Sequence, residues 1–281
     1  MELYSTSSML SIAQPAVIDV SVESCEFREY ESQNPAALNN GQDIQIDIHN
    51  QDIYTHPTRS YLLVEGRLSS TGDAAYTAAT LISLINNAIP YLFSRIRYHI
   101  NNQEIENIMS PGQITTMKGM LIYGDDFSKA EGLNMCWQKD TTADAASANL
   151  GWEARCKMII TKPNPVGTFS FCMPLKHLFG FCDDYTKVIY SVKHSLLLCR
   201  QSDNDAIFRD NAVAAGRITL SKLSWLMPHV TPSIEQMNML NKQIENKIKI
   251  PVAFRAMQCD SLAVPQATSF SLGLGVKSDT E

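Results

Sequence analysis

The feature that most constrains the fold of this chain is the alternation of apolar and polar residues with a period of two. Ile44, Ile46 and Ile48 alternate with Gln45 and Asp47. Because successive side chains of a strand point to opposite faces of a sheet, this spacing predicts a half-buried β-strand. The same period recurs along most of the chain, in residues 18–22, 62–68, 96–100, 169–173, 187–200 and 217–227.

The strand-like runs are separated by segments rich in Gly, Pro, Asn and Asp, which favour turns. Many short strands with turns between them are typical of an all-β sandwich or barrel. We expect the sandwich to span residues 17–230. The residues predicted to face its core are Ile44, Ile46, Ile48, Val188, Tyr190, Val192 and Leu198.

The phase of the alternation changes at two places. Val22 and Cys25 lie on opposite parities of the first run, which indicates a bulge or a bend. In the last run, Leu220 occupies one parity, whereas Leu223 and Trp225 occupy the other.

Two segments show helical spacing. Residues 110–113, Ser-Pro-Gly-Gln, form a capping-box pattern with proline at the first helical position, and Ile114, Met117 and Leu121 follow on one predicted face. The second helix is predicted from Thr231 to about residue 246. Its apolar stripe consists of Ile234, Met237, Leu240 and Ile244. The composition also allows a short helix at 78–86.

Residues 101–166 interrupt the strand rhythm and are interpreted as a helical and loop insertion. Residues 140–147 are small and polar, which is typical of a loop. We therefore expect residues 125–154 to be exposed, because such a composition buries little surface.

Composition narrows the classes of function. The chain has 281 residues, 44% of them hydrophobic, and a formal net charge of -6, so it lacks the basic surplus of proteins that wrap nucleic acid. Seven cysteines without a C-x-x-C motif favour a reducing compartment. The first residues lack the pattern of a signal peptide, and no apolar run approaches the ~18 residues of a membrane helix. We expect a protein that is not secreted and does not span a membrane.

Several clusters are candidates for metal binding, and each has a simpler structural interpretation. Cys172, His177 and Cys182 are spaced by five residues but do not complete a four-ligand zinc set, so a turn containing buried thiols is favoured. The acidic segment from Asp203 to Asp210 lacks the glycine and glutamate of a calcium loop. We expect neither a metal nor another cofactor.

The sequence gives equally weak indications of a catalytic site and of a nucleic-acid-binding site. Glu29 and Glu31 are paired carboxylates, but nothing in the sequence marks them as an acid–base pair. Two small basic clusters are interpreted as solvated faces of a strand and a helix. Their members are Arg95, Arg97, Tyr98 and His99 in the first, and Lys242, Lys247, Lys249 and Arg255 in the second. We expect no catalytic residue, and we expect no direct binding of nucleic acid.

A distinctive pattern lies in the second half of the chain. Residues 174–185 read PLKHLFGFCDDY, and the pattern continues with KVIY at 187–190, RQSDNDAIFR at 200–209 and LSKLSWLMP at 220–228. From about residue 18 onward the chain resembles the double jelly-roll major capsid proteins of the Polinton and adintovirus type, which also occur as copies in invertebrate genomes.

The resemblance implies a structural protein without catalytic residues, in which two jelly rolls stand side by side. Residues 1–16 would be an N-terminal arm, 17–230 the first roll, 231–247 a connector helix and 248–281 the incomplete beginning of a second roll. A full-length form would assemble inside the host cell as a homotrimer, a pseudo-hexameric capsomer that contacts neighbouring capsomers in the virion.

Two alternatives remain at this point. The chain is either a fragment of a capsid protein or a truncated genome-integrated copy acting as a lectin-like β-sandwich binding module. A metal-dependent barrel enzyme is a third class, which the absence of a convergent ligand pattern disfavours.

Overall fold

Strands arranged in two main sheets form most of the computed structural model, which describes residues 20–39, 41, 43–49, 52–146, 148–259, 269 and 271. The strands are β1 Val22–Glu31, β2 Asp43–Ile48, β3 Tyr54–Thr55, β4 Tyr61–Ser70, β5 Ile82–Leu84, β6 Phe93–Ile100, β7 Gln103–Met109, β8 Thr168–Pro174, β9 Ile189–Tyr190, β10 His194–Arg200, β11 Ile207–Arg209 and β12 Gly216–Pro232. The α-helices are α1 Ala88–Tyr91, α2 Pro111–Ile122, α3 Leu150–Cys156, α4 Leu175–Leu178, α5 Gly180–Asp184 and α6 Ile234–Glu245.

The strand order is that of a jelly roll. In the six-stranded sheet β12 pairs with β1, β4 and β3, and the two outer partners are β8 beside β4 and β9 beside β3. The four-stranded sheet has the order β2-β10-β6-β7. Among the described strands, β1 therefore pairs with β12, β2 with β10, β3 with β9 and β4 with β8. Each pair is nested inside the one before it in sequence, as in a rolled Greek key. A two-stranded ribbon of β5 and β11 lies outside these sheets.

Both phase changes in the sequence coincide with irregular pairing. The register of β1 against β12 shifts between Val22 and Ser24, which confirms the predicted bulge. A second shift separates Leu220 from Lys222 in β12 opposite β4. The extra residue changes the face to which the following side chains point, so Leu220 and Trp225 are both buried in spite of their opposite parities.

The core between the sheets confirms part of the predicted facing. Ile44, Ile46, Ile48 and Leu198 have no exposed surface. An edge-to-face contact of 5.7 Å between the ring centroids of Tyr98 and Trp225 connects the four-stranded sheet to the six-stranded one.

Val188, Tyr190 and Val192 are only half-buried, so their predicted place in the core is wrong. The alternation in 187–200 does not belong to one strand. Ser191 adopts a positive φ of 49° and separates β9 in one sheet from β10 in the other. A period-two pattern cannot reveal that the chain changes sheets in its middle.

The first predicted helix, α2, is present but packs differently from the prediction. Helix α2 buries Ile114 but exposes Met117 and Leu121, so its predicted apolar face is wrong. The buried side instead consists of small residues, because Gly112 packs against the ring of Tyr91 and Gly119 packs against Trp137. The predicted capping box is also absent, since the side chain of Ser110 caps no backbone N–H.

The other two helical predictions had opposite outcomes. Helix α6 begins after Ser233, whose hydroxyl accepts a hydrogen bond from the backbone N–H of Gln236, close to the predicted start. No helix forms at 78–86, where strand β5 pairs with β11.

The predicted insertion begins later than expected and is less exposed. Residues 103–109 form β7, which belongs to the four-stranded sheet. Within 125–154, Trp137 and Trp152 are buried, which contradicts the expectation that this whole stretch is exposed. The small polar loop at residues 140–144 is solvent-exposed, as predicted.

A buried arginine organises this insertion. Arg155 in α3 has no exposed surface, and its guanidinium donates to the carbonyl of Leu84 at 2.8 Å, to the Asp140 carboxylate at 2.6 Å and to the carbonyl of Gln138. The partners keep the buried cation hydrogen-bonded, which is the condition for burying a charge at tolerable cost. Composition alone did not identify this network.

A hydrogen-bonded histidine connects the two sheets. The hydroxyl of Thr55 donates to the carbonyl of Ile189 at 3.1 Å, so its single proton is not available for His194. We infer that Nε2 of His194 donates to Thr55 Oγ1 at 2.8 Å, while Nδ1 accepts from the Tyr98 hydroxyl at 2.8 Å. Burial lowers the pKa of His194 to about 4.

A second histidine is held neutral in the same way. His177 on α4 lies 2.5 Å from the Tyr123 hydroxyl through Nδ1 and 3.4 Å from Glu131 through Nε2. Burial lowers its pKa to about 4, although the neighbouring Glu131 carboxylate partly opposes this shift.

We predict that replacing Ile46 with Asp lowers the free energy of unfolding by about 3 kcal/mol or more, because it buries a charge without a partner. Replacing its half-buried neighbour Gln45 with Ala should cost about 0.5 kcal/mol or less. Chemical denaturation of both variants measures the difference. Equal losses at the two positions would refute the assigned facing.

We also predict that acid destabilises the fold through its buried histidines. Unfolded histidine has a pKa near 6.5, so the unfolded chain binds protons that folded His177 and His194 exclude down to about pH 4. Stability should therefore fall as the pH decreases, by about 2 kcal/mol per histidine between about pH 7.5 and about pH 5. Urea unfolding of His194→Gln at both pH values should show a smaller loss than the parent chain. An unchanged pH dependence would contradict this assignment.

Candidate assembly interface

The residues considered for metal binding have structural partners instead. Cys182 is fully buried, and burial raises the pKa of its thiol well above the ordinary value. His177 contacts Tyr123 and Glu131, as described above. Among the residues that the structure describes, no three His, Cys, Asp or Glu side chains lie in a group that could hold a metal ion.

The acidic candidates also serve structural roles. Asp203 accepts hydrogen bonds from the Arg200 guanidinium at 2.8 Å and from the backbone N–H of Ile218 at 2.9 Å, which fixes the turn before β11. Glu29 forms an ion pair with Lys222 at 2.7 Å, and this hydrogen bond holds the pKa of its carboxyl below the usual range. Neither carboxylate is arranged with a second one as an acid–base pair.

Three arginines of the two basic clusters are paired with acids or amides, whereas Lys242, Lys247 and Lys249 are exposed. Arg95 donates to the side chain of Asn107 at 2.7 Å, and Arg97 lies 3.7 Å from Asp43. Arg255, in the second cluster, binds Asp184. This pairing reduces the positive charge available for phosphate groups.

The structure brings together a set of residues that the sequence did not single out. The segment after α6 lies against the roll, where the backbone N–H of Met257 donates to the Glu106 carboxylate at 3.2 Å. The same carboxylate accepts from the N–H groups of Gly180 at 3.1 Å and Phe181 at 3.0 Å, at the start of α5. Glu106 thus connects β7, α5 and the segment 254–259, which we call the docked segment.

Burial raises the pKa of Glu106, although its three backbone donors oppose the shift. Only 3% of the residue is exposed. The sequence contains a signal for this residue, because Glu106 occupies the same parity of β7 as the buried Ile108. An acid on the apolar parity of a strand is a violation of binary patterning and marks a special contact.

Two further contacts fasten the docked segment. Arg255 donates from its guanidinium and its backbone N–H to Asp184, at distances of 2.6–3.0 Å, and this arrangement lowers the pKa of Asp184 to about 2. The ring of Phe254 packs edge-to-face on Phe181 at 5.4 Å. Gly180 permits the approach, since a Cβ there would collide with the carbonyl of Arg255.

Helix α6, which precedes the docked segment, exposes an apolar face. No residue of α6 is buried, and Ile234 and Ile244 are 73% and 50% exposed. Ile248 and Ile250 continue the apolar surface beyond the helix. We call these four residues the α6 apolar face. Exposed isoleucines concentrated in one segment are typical of an interaction surface.

The predicted second-roll segment 248–281 is described only in part. Residues 248–259 contain no strand, and Phe270, Leu272 and Leu274, on which the strand prediction depends, lie outside the described residues, as does the predicted arm 1–16. Within the described part of the chain, no helix is long and apolar enough to cross a membrane.

We predict that Glu106→Gln destabilises the chain by about 2 kcal/mol, because the amide nitrogen cannot accept the N–H bonds that a carboxylate oxygen accepts. Amide hydrogen exchange should accelerate at residues 254–259 and around 180. Glu104→Gln on the same strand, whose side chain is exposed, is the matched control. If exchange at 254–259 is unchanged in Glu106→Gln, the carboxylate does not hold the docked segment.

A family model described as a double jelly roll-like domain matches residues 82–280. No curated protein is similar enough in sequence to count as a match.

Several solved virus structures are similar in fold. The cryo-EM structure of the Sputnik virophage has a TM-score of 0.52 at 10% identity, over 83% of this chain and 53% of that one. The Faustovirus major capsid protein has a TM-score of 0.49 at 9% identity, over 83% and 58%. The mavirus major capsid protein has a TM-score of 0.45 at 12% identity, over 81% and 50%. The chain spans about half the length of these solved structures.

The family model covers most of the chain, including α6 and the docked segment, and its fold agrees with the jelly-roll strand order. The resemblance in residues 174–228 and the all-β jelly-roll prediction are thereby confirmed. The chain belongs to the double jelly roll-like domain family.

Proposed function

We propose that the chain is a structural, capsid-type protein whose full-length form carries two jelly rolls and builds trimeric, pseudo-hexameric capsomers of an icosahedral shell. In this proposal residues 17–230 are the first roll, 231–247 the connector and 248–281 the beginning of the second. The protein acts in the virion after assembly inside the host cell, without secretion. It binds further copies of itself and neighbouring capsomers, and it neither catalyses a reaction nor binds nucleic acid directly.

The observation that carries the proposal is the combination of a jelly roll with the α6 apolar face at its end. A 12-residue helix such as α6 is marginal in water without a partner, because most helical stability in proteins comes from packing. Ile234 and Ile244 find no such partner among the described residues. A second roll supplies the missing surface in this proposal.

The docked segment supports the same arrangement. Glu106 and Asp184 hold the chain just after α6 at fixed positions on the first roll. A linker held by a buried carboxylate and an ion pair limits the orientations of whatever follows it. Such a restriction on the orientation of the second roll is useful in a capsomer whose two rolls must stand side by side.

The proposal predicts that the 281-residue chain self-associates through the α6 apolar face. The double variant Ile234→Lys, Ile244→Lys should reduce the weight-average mass in light scattering towards that of a monomer, because it replaces about 2 kcal/mol of apolar burial per side chain with charge. The control is Asn238→Lys, which adds charge to an exposed polar position of the same helix. A parent chain that stays monomeric at high concentration would contradict the role of this face.

The decisive measurement is made on the protein product of the complete reading frame. This product should elute as a discrete species with three times the chain mass, and α6 should exchange its amide hydrogens more slowly there than in the 281-residue chain. A monomeric product with an equally exposed α6 would overturn the trimeric capsomer.

A further inference from the structure

A cleft of about 420 Å³ lies between strand β1 and helix α6. Its walls are the β1 strand, the short β3 and β9 strands, the C-terminal end of β12 and one side of α6. The volume falls in the range of small-ligand pockets, ~300–1,000 Å³. Met237 of the predicted α6 apolar stripe also lines the cleft, so the cleft and the α6 apolar face adjoin on the helix.

The β1 wall is polar where a sandwich interior is normally apolar. The pairing register sets Arg28 opposite Met227 and Glu26 opposite His229, on the side of the sheet that faces the core. Yet both charged side chains are exposed in the cleft, and neither has an ion-pair partner among the described residues. Inward charges on an edge strand also discourage aggregation, so this feature alone does not identify a site.

Two buried polar atoms at the cleft provide an independent observation. Tyr54 and His229 both line it, and each is 6% exposed. The Tyr54 hydroxyl and the Nδ1 atom of His229 have no hydrogen-bond partner among the described residues. Buried polar groups are nearly always satisfied, and two of the eleven unpartnered buried side-chain atoms among the described residues lie at this cleft.

The cleft also contains an aromatic surface. The rings of Tyr54 and Tyr190 pack with centroids 4.6 Å apart, and the Tyr190 hydroxyl donates to Asp52 at 3.0 Å, which fixes the ring. An aromatic ring presents a negative face, which attracts C–H groups polarised by adjacent oxygens. Asn241 of α6 adds an amide that both donates and accepts hydrogen bonds.

We propose that this cleft binds a saccharide. Glu26 accepts hydrogen bonds from sugar hydroxyls, Arg28 and Asn241 donate to sugar oxygens, and the Tyr190 ring packs against the C–H face of the sugar. A neutral polyol satisfies this set, because charges of both signs stand side by side and disfavour a ligand of one charge. The walls of the cleft come from the first roll and from α6, so the inference is tested on the 281-residue chain without a capsomer.

The test is titration of the 281-residue chain with lactose, maltose, chitobiose and sialyllactose, followed by saturation-transfer NMR and calorimetry. At least one saccharide should bind. Glu26→Gln and Asn241→Ala should each weaken that binding about tenfold, the loss of one hydrogen bond to a well-placed group.

Two matched controls lie outside the cleft. Glu31→Gln makes the same change on the same strand, and Asn238→Ala makes it on the same helix; both should bind as the parent chain does. Circular dichroism of all four variants verifies the fold. Because Asn241→Ala removes an exposed side chain, this variant should stay folded, and its effect on binding remains interpretable even if another variant unfolds.

Three results would overturn the proposal. The first is no saccharide binding up to about 10 mM. The second is binding that the cleft variants leave unchanged or that the controls weaken equally. The third is binding of the dipeptide arginyl-aspartate, whose charges complement Glu26 and Arg28, without binding of any saccharide.

Discussion

The pairing of β12 with strands from both ends of the chain is the interaction on which the rest of the structure depends. This 17-residue strand pairs with β1 on one side and with β4 and β3 on the other. The shift between Leu220 and Lys222 lets one strand serve two stretches of core with opposite side-chain phase. Because β1 and β12 are nearly 200 positions apart in sequence, the six-stranded sheet closes only when the whole roll has formed.

Three of the buried polar side chains connect elements whose relative position apolar packing alone would not fix. His194 joins the two sheets, Arg155 fixes the insertion to the β5 ribbon, and Glu106 holds α5 and the docked segment. Every one of them has hydrogen-bonded partners, as burial of such groups requires. Because hydrogen bonds are directional, these three groups set the relative positions of the elements they connect. The surrounding isoleucines, leucines and aromatic rings supply most of the stabilisation.

The surfaces of the molecule divide into two kinds. The α6 apolar face is hydrophobic and precedes the hydrogen-bonded docked segment, which suits a permanent interface. The cleft under β1 is polar, aromatic and of mixed charge, which suits a small and reversibly bound ligand. The two surfaces adjoin on α6, because Met237 and Asn241 of the cleft wall lie between Ile234 and Ile244 around the helix.

The sequence by itself determined the strands β1, β2, β4, β6, β8, β10 and β12, both phase changes, helix α6 and the jelly-roll class, but not β3, β5, β7 or β11. These features are local, since period-two and helical spacing record which side of an element is covered. Tertiary structure decided what covers each side. It placed β9 and β10 in different sheets at Ser191, gave α2 a small-residue interface against Trp137, and buried much of a loop-like insertion around Arg155. The contacts of Glu106 and the walls of the cleft were also decided by tertiary structure. Their partners come from strands and helices far apart in sequence, and local residue spacing does not predict such long-range contacts.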